Sequence, residues 1–467
     1  MKELYQIYFK EDIPKYIQVA AHIKKLIENR KIKDGEKLPT IRDLSDILGV
    51  NKVTIVNAYK KLKADGYAYQ KVGSGTYAKR RETTSSFNRE YSKIFKKLSP
   101  NDLKDIIDFT GETNSDVYFP IEDFKHVINK VLDRDGANAL ITKEFLGYEN
   151  LRKTINKAFW NEELDLNNIL IVSGAQQGID IASKAIVNIN DNVIVEKPTY
   201  GGAISVFKWR RANIFELELE NDGIDLKKLE EILKKNSVSC FYTMSYFHNP
   251  TGVSYSLEKK LKLLELAQKY DFYIIEDDYL SELIYDNNIK HEPLKSLDKY
   301  ERVIYIKSFS KIFLPGIRLG YMITPSSFNE IIQSSKINTD ISTSSLMQRA
   351  LELYISKGLW KKNIDYQQRM YKEKYLLMKE LINKELSDKV SYIDPKGGLY
   401  FYLEIKNKNI KSTELFYRLK KKKLYITPGT ILFKDSSNGD YFFRISFSQA
   451  SKKKIVEGIN LIKEELI

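Results

Sequence analysis

The sequence predicts an α/β chain of at least two parts. A small basic helical unit comes first, followed by a large region in which helices alternate with strands of a mostly parallel sheet, closed by a small α+β subdomain. Three observations predict it. At 467 residues the chain exceeds what one ordinary core fills. Its charge is uneven: residues 1–81 hold 18 Lys and Arg against 9 Asp and Glu, a net of +9, and the other 386 residues hold the remaining +5 of the total +14. After residue 108, seven short apolar runs alternate with helical patterns.

Composition narrows the class. Hydrophobic residues make up 42% of the chain, a globular value, and no run of about 18 apolar residues is available to cross a membrane. The segment Met1-Lys2-Glu3-Leu4-Tyr5 lacks the basic-then-apolar order of a secretory signal, so a cytoplasmic location and no membrane partner are expected. A single cysteine, Cys240, excludes an internal disulfide and a thiolate metal cage. The four histidines, His22, His126, His248 and His291, are scattered, and no metal site is expected. The basic N-terminal block points to a polyanion such as DNA, but lysine abounds throughout, which makes charge alone a weak discriminator.

Taken in order, residues 16–30 place Ile17, Ala20, Ala21, Ile23, Leu26 and Ile27 near helical spacing. Lys33-Asp34-Gly35-Glu36-Lys37-Leu38-Pro39 reads as a turn, and Thr40 as the N-cap of a helix over 41–48 that buries Leu44, Ile47 and Leu48. Gly49-Val50 turns the chain, and Asn51 can cap a third helix. That helix carries the apolar stripe Ile55, Ala58, Tyr59 and Leu62, with Lys52, Thr54, Asn57 and Lys61 on its opposite face. Gly66 ends it. Strands over 67–72 and 76–78 flank Gly73-Ser74-Gly75 as a hairpin. Helices joined by a short turn and followed by a hairpin form a winged helix-turn-helix, whose second paired helix enters the major groove by its N-terminal residues. The residues predicted to meet DNA are Asn51, Lys52, Thr54 and Asn57, with Arg42 and Lys71 toward phosphates, and Thr40 and the wing glycine Gly75 beside them. A three-helix unit that binds another protein is the alternative.

Residues 81–104 are charged and hydroxyl-rich and read as a linker, with a helical pattern over 91–98. The large region, 105–467, gives strands over 169–172, 193–195, 214–217, 240–244, 272–275, 303–306 and 320–323. From about residue 359 a long basic helix leads into the small subdomain, which carries apolar runs over 399–405, 425–427 and 442–446.

Chemistry concentrates at the ends of those strands. Ser308-Phe309-Ser310-Lys311 follows one apolar run, and Pro315-Gly316-Ile317-Arg318 precedes the next. A lysine on such a turn is partly desolvated, which lowers its pKa and suits it to form a Schiff base with an aldehyde. The hydroxyls of Ser308 and Ser310 and the forked donors of Arg318 can converge on a dianionic phosphate. An aldehyde carrying a phosphate is pyridoxal phosphate. The alternative is an ordinary basic loop. Ser173-Gly174-Ala175-Gln176-Gln177 leaves a strand and opens a helix, so the amides of Ala175 and Gln176 can hold the same phosphate. Tyr200 offers a ring to stack on the pyridine. Asn249 can donate to the phenolate oxygen, and Tyr279 can reach that oxygen as well. Asp277 can pair with the pyridinium nitrogen and keep it protonated, making the ring an electron sink. Read singly, each of these pieces also has a purely structural explanation.

Two resemblances rest on these residues. Leu38-Pro39-Thr40-Ile41-Arg42-Asp43-Leu44, Val53-Thr54-Ile55-Val56-Asn57-Ala58-Tyr59 and Gly73-Ser74-Gly75-Thr76-Tyr77 resemble the GntR DNA-binding domain over roughly residues 12–80. Asn51-Lys52 stands where that family commonly has Ser-Arg. In order, Ser-Gly-x-Gln, Asn-Pro-x-Gly, Asp-Asp-Tyr, Ser-x-Ser-Lys and Pro-Gly-x-Arg-x-Gly resemble the fold-type I, aspartate-aminotransferase-like enzymes that use pyridoxal phosphate, over about residues 105–467. That resemblance implies Lys311 as the cofactor-bearing lysine and proton shuttle, Asp277 as the ring-nitrogen partner, and Asn249 with Tyr279 as the phenolate contacts. It implies Ser308 and Arg318 as phosphate ligands, and Arg444 as the residue that takes a substrate carboxylate. Related chains often carry a Tyr, given to the neighbouring subunit's phosphate, near where Thr142 stands here.

A GntR-like reader (1–80), a linker (81–104) and an aminotransferase-like unit (105–467, with its small subdomain from about 359) are together similar to the MocR subfamily of bacterial regulators. The resemblance implies a transcriptional regulator that binds pyridoxal phosphate and senses it, or an amino compound reacting with it, at Lys311. Its implied partners are a double-stranded DNA operator and a second copy of the chain in a head-to-tail, domain-swapped homodimer. An active aminotransferase with an accessory DNA-binding unit is the alternative. The intact Lys311, Asp277 and Arg318 speak against a third reading, a DNA-binding protein with a dead fold.

Overall fold

The computed structural model describes residues 2–11, 13–28, 31–71, 73–79, 87, 90–92, 105–111, 119–141, 144–310 and 313–467. The chain divides into two compact units, Met1–Ile94 and Phe95–Ile467.

In the N-terminal unit, α1 (Lys15–Glu28), α2 (Ile41–Leu48) and α3 (Lys52–Ala64) precede an antiparallel hairpin of β1 (Ala68–Lys71) and β2 (Gly75–Ala78). Their apolar faces meet in one core that includes Val19, Ile23, Leu44, Ile55, Leu62 and Tyr67. The caps form as the sequence requires. The Thr40 hydroxyl accepts from the Asp43 amide at 3.1 Å, and Asn51 Oδ1 accepts from the Val53 amide at 3.0 Å. Each satisfies an N–H that the first helical turn cannot pair internally. The Tyr59 hydroxyl donates to the Pro39 carbonyl at 2.6 Å and ties α3 to the turn before α2. The register of α1 differs from the sequence reading in one respect: Ala21 is exposed and Val19 is buried. The buried stripe runs 19, 20, 23, 26, 27 at the helical period, and position 21 falls on the far side. Val72, Thr142, Lys311 and residues 93–98 lie outside the described residues.

The large unit opens with a two-residue strand, β3 (Ile107–Asp108). Its frame is an eight-stranded sheet built from β4 (Ile169–Val172), β5 (Asn192–Lys197), β6 (Asn213–Glu220), β7 (Gly223–Ile224), β8 (Cys240–Thr243), β9 (Tyr273–Asp278), β10 (Val303–Ser308) and β11 (Gly320–Ile323). Their order is β4-β11-β10-β9-β8-β5-β6-β7. Neighbours from β10 through β9, β8, β5 and β6 pair in parallel. Strand β11 is antiparallel to both β10 and β4, and β7 is antiparallel to β6, so the mostly parallel sheet contains two reversed strands. Every residue of β4, β8, β10 and β11 is buried. A sheet covered on both faces produces continuous apolar runs rather than alternation, which is why these strands were legible as runs.

Helix α4 (Ala175–Ile186) follows β4, α5 (Gly201–Trp209) follows β5, and α6 (Asn329–Asp340) packs on α4 after β11. The 27-residue α7 (Leu359–Glu385) then leads to the small subdomain. There β12 (Val390–Tyr392) and β13 (Tyr400–Ile405) precede two short strands, β14 (Leu424–Tyr425) and β15 (Thr427–Pro428), and then β16 (Phe442–Ser446). The antiparallel sheet has the order β12-β13-β16-β15, while β14 pairs in parallel with β3. The Ser446 amide also donates to the Phe109 carbonyl at 2.7 Å. The small subdomain therefore includes the segment around residues 107–109, which the sequence reading placed elsewhere. A two-residue strand has no period to detect.

Candidate functional site

In open α/β sheets a ligand sits outside the carboxyl ends of the parallel strands. The predicted residues gather at that edge: Ser173 to Gln176 after β4, Tyr200 after β5 and Asn249 after β8. Asp277 lies near the end of β9 and Ser308 ends β10, while Arg318 comes just before the reversed β11, which starts at the same edge.

At one end of this edge Arg318 lies against the residues that open α4. Arg318 Nη2 donates to the Ser173 carbonyl at 3.1 Å, and its Nη1 to the Ser310 hydroxyl at 3.3 Å. The Ser310 amide donates to the Ser308 hydroxyl at 3.2 Å. Gly174 adopts φ 92°, and a Cβ there would lie 2.8 Å from Arg318 Nη2. The missing side chain is what lets the guanidinium lie against the start of α4. That helix has no side-chain cap, and its first-turn amides carry the positive end of the helix dipole next to the guanidinium. Gly320 permits a second close approach, since a Cβ there would stand 2.5 Å from the Lys307 carbonyl. Gln176 Nε2 donates to the Gly202 carbonyl at 3.2 Å, and the half-buried Tyr200 ring lies against the same glycine.

Asp277 lies deeper and is 4% exposed. Its Oδ2 accepts from the Tyr242 hydroxyl at 2.7 Å, and its buried Oδ1 has no hydrogen-bond partner among the described residues. Burial pushes its pKa up to about 7, with the Tyr242 hydrogen bond opposing. Asp278, next along the strand, faces the other way and is a different species. Burial opposes its ionisation, but the Lys307 ammonium at 3.0 Å, helped by His291 and Tyr305 at 2.8 and 2.7 Å, holds it well below the usual carboxylate range. The two adjacent acids are thus split between two environments. Among the described residues no group of His, Cys, Asp and Glu could hold a metal ion.

Arg444 is 3% exposed, too deep to serve in a surface ion pair. Its partners include Asn249 Oδ1 at 2.6 Å, the Thr110 carbonyl at 2.8 Å and the Thr427 hydroxyl at 3.3 Å. Its guanidinium carbon lies 4.2 Å from the Tyr400 ring centroid. The first of these bonds pins the carbonyl end of the Asn249 amide, so the NH2 end is the one left to donate. The Tyr279 hydroxyl donates to the Phe247 carbonyl at 2.9 Å.

In the N-terminal unit, Asn51, Lys52 and Asn57 are exposed on α3, Thr54 is half-buried there, and Arg42 is exposed on the first turn of α2. Thr40 is exposed, and its hydroxyl donates to Asp43 Oδ2 at 2.6 Å while capping α2. Lys71 Nζ stands 5.0 Å from the Tyr77 ring, which stacks on Tyr69 at 5.6 Å.

Sequence reasoning missed several contributors. Tyr242 holds Asp277 from a neighbouring strand. Behind Asn249, the wholly buried Glu196 accepts from the Thr243 and Tyr255 hydroxyls at 2.7 and 2.6 Å. Lys37 lies against Gly75 at the wing. Val53 is an apolar residue 61% exposed on the first turn of α3. Only Val53 left a sequence signal, an apolar residue off the buried stripe at the start of a recognition helix.

A winged helix-turn-helix in the same chain as a fold-type I α/β unit defines the class: a DNA-binding domain fused to an aminotransferase-like domain. Residues 109–462 match the family described as aminotransferase class I and II, and residues 15–78 match the bacterial regulatory proteins of the gntR family. The chain therefore belongs to the aminotransferase class I and II family, whose members use pyridoxal phosphate, and carries a GntR-type domain at its N-terminal end. The HTH-type transcriptional regulator YcxD of Bacillus subtilis is 27% identical over 458 residues, which is 97% of this chain and 100% of that protein. An aminotransferase of Saccharolobus solfataricus is 30% identical over 387 residues, covering 80% of this chain and 96% of its own. Pyrococcus horikoshii kynurenine aminotransferase, solved in complex with PMP, superposes with a TM-score of 0.76 at 29% identity, covering 82% of this chain and 95% of its own.

Proposed function

We propose that the protein is a DNA-binding transcriptional regulator of the MocR type, whose aminotransferase-like domain binds pyridoxal phosphate and senses it or an amino compound that reacts with it. The observation that carries this reading is the presence in one chain of an exposed recognition helix and a complete anion cradle beside a buried, half-partnered carboxylate. The residues suit the cofactor. The uncapped start of α4 with Arg318 laid against Gly174 suits a phosphate dianion. The unpartnered Asp277 Oδ1 suits a ring N–H. The buried Arg444, bonded to Asn249, suits a ligand carboxylate.

When bound, pyridoxal phosphate supplies an electron sink. Ser308, Ser310, Arg318 and the amides of Ala175 and Gln176 hold its phosphate, and Tyr200 stacks on its ring. Asn249 donates to the phenolate oxygen, with Tyr279 beside it. Asp277 keeps the ring nitrogen protonated, Lys311 carries the cofactor and moves the proton, and Arg444 orients the effector. The chain acts in the cytoplasm as a head-to-tail homodimer whose two readers meet two DNA half-sites. In support, YcxD, named as a regulator, matches this chain nearly end to end, whereas the Saccharolobus aminotransferase matches 80% of it. The completeness of the catalytic-type residue set favours the second reading, an active aminotransferase.

An absorbance titration of cofactor-loaded protein against a panel of amino acids and amines separates the two. A regulator should give a ligand-specific spectral change with little net turnover. By linkage, that ligand's affinity must change in the presence of selected DNA by the factor by which it changes DNA affinity. Sustained keto-acid production with no such coupling would establish the enzyme instead. Arg42→Ala and Lys52→Ala should each weaken DNA binding and lower its salt slope by about one, while the cofactor spectrum stays in place. Unchanged DNA affinity for both would remove the winged-helix reading.

A further inference from the structure

A buried lysine stands behind the proposed phosphate cradle. Lys336, on α6, is 1% exposed. An ammonium group in the interior is costly unless it is paired and hydrogen-bonded. Its Nζ donates to Asp340 one turn further on, to the Thr343 hydroxyl at 2.8 Å and to Gln177 Oε1 at 3.5 Å. Asp340 Oδ2 in turn accepts from Gln177 Nε2 at 2.7 Å and from the Ser173 hydroxyl at 3.1 Å. Gln177 Oε1 accepts from the Ser173 amide at 2.6 Å. The amide and hydroxyl of Ser173 are therefore both fixed by this cluster, while its carbonyl receives Arg318 at 3.1 Å.

Well-packed apolar residues of the same volume would commonly fill such a space at no loss of stability. What the ion pair adds is orientation, applied where α6 meets the first turn of α4. We propose that Lys336 and Asp340 are positioning residues of the phosphate site. Through Gln177 and Ser173 they set the direction in which the first-turn amides of α4 and the Arg318 guanidinium point. The pair is neutral as a whole, so its contribution is geometric and not an added attraction for the anion. This inference rests on the cradle's being a phosphate site, as proposed above.

The test compares pyridoxal phosphate with pyridoxal, which lacks the phosphate, on the full-length chain. Dissociation constants are measured for the wild type, Lys336→Met and Asp340→Asn. Leu229→Ala serves as a lesion in a separate part of the core. Both cluster variants should lose about tenfold or more for pyridoxal phosphate, the scale seen when groups that orient a binding shell are removed, and less than about twofold for pyridoxal. Leu229→Ala should leave the ratio of the two affinities as in the wild type. An equal loss for both compounds, or an unchanged ratio in both cluster variants, overturns the proposal. If Lys336→Met does not fold, the ratio for Asp340→Asn decides. A wild-type chain that prefers neither compound overturns the phosphate reading itself and this proposal with it, and it does so before any substitution is made.

Discussion

Lys311→Ala is expected to leave no covalently held chromophore. After incubation with pyridoxal phosphate, borohydride reduction and denaturation, the wild-type chain should keep a stable stoichiometric label and the variant none. The loss should be complete rather than graded, because the bond requires one amine. The residues on either side of Lys311 in sequence, Ser308 and Ser310 before it and Arg318 after it, are joined in one cradle. Neighbouring lysines cannot take its place. Burial lowers the Lys307 pKa, but Asp278 at 3.0 Å and Glu282 at 2.8 Å outweigh that and hold it above the usual ammonium value, so it stays protonated and not nucleophilic. Lys336 is held by Asp340 and Thr343. Reversible binding should persist in the variant, since the phosphate and ring-nitrogen partners remain. A reducible label at full stoichiometry in the variant would take the role away from Lys311.

How much was legible follows from what each feature depends on. Helices α2 and α3 announced their starts through Thr40 and Asn51, because capping needs only local sequence. Buried strands such as β10 announced themselves as continuous apolar runs. The residues proposed for the chemistry stood out because their strand-end turns mix glycine, hydroxyls and charge where an ordinary connection does not. What sequence could not carry was the partner across space. Tyr242 reads as one more aromatic in a buried strand until β8 pairs with β9 and brings its hydroxyl to Asp277. The union of β3 with β14 joins residues more than three hundred positions apart with two residues from each. For Thr40 the cap was legible from local sequence, and the hydrogen bonds with Asp43 form it. Lys336 reads as a surface lysine on an amphipathic helix, and only the packing of α6 on α4 buries it.

Asp277→Asn is expected to act in opposite directions on cofactor-free and cofactor-loaded protein. In the cofactor-free chain burial pushes this carboxyl up to about 7, whereas in the unfolded chain it ionises near pH 4, at about the ordinary aspartate value. Between those limits the folded state binds more protons than the unfolded state. Stability contributed at this position therefore falls as pH rises from about 4 to about 7 and is flat above. Asparagine stays neutral throughout and can still accept from Tyr242, so it removes the cost of ionising a buried acid, on the order of 3–4 kcal/mol at pH 8. With pyridoxal phosphate bound, the sign reverses. A protonated ring nitrogen favours an ionised partner, which asparagine cannot be, and the variant should lose tenfold or more in affinity, a scale of roughly 1.4 kcal/mol per decade. Apparent melting temperatures at pH 5 and pH 8, with and without the cofactor, read both effects. The variant should gain on the wild type at pH 8 without cofactor, gain about a third as much at pH 5, and show a much smaller upward shift when cofactor is added. If asparagine brings no gain in the first condition and no loss in the last, the unpartnered Oδ1 of Asp277 is not the ring-nitrogen acceptor, and the ring must be held from another strand.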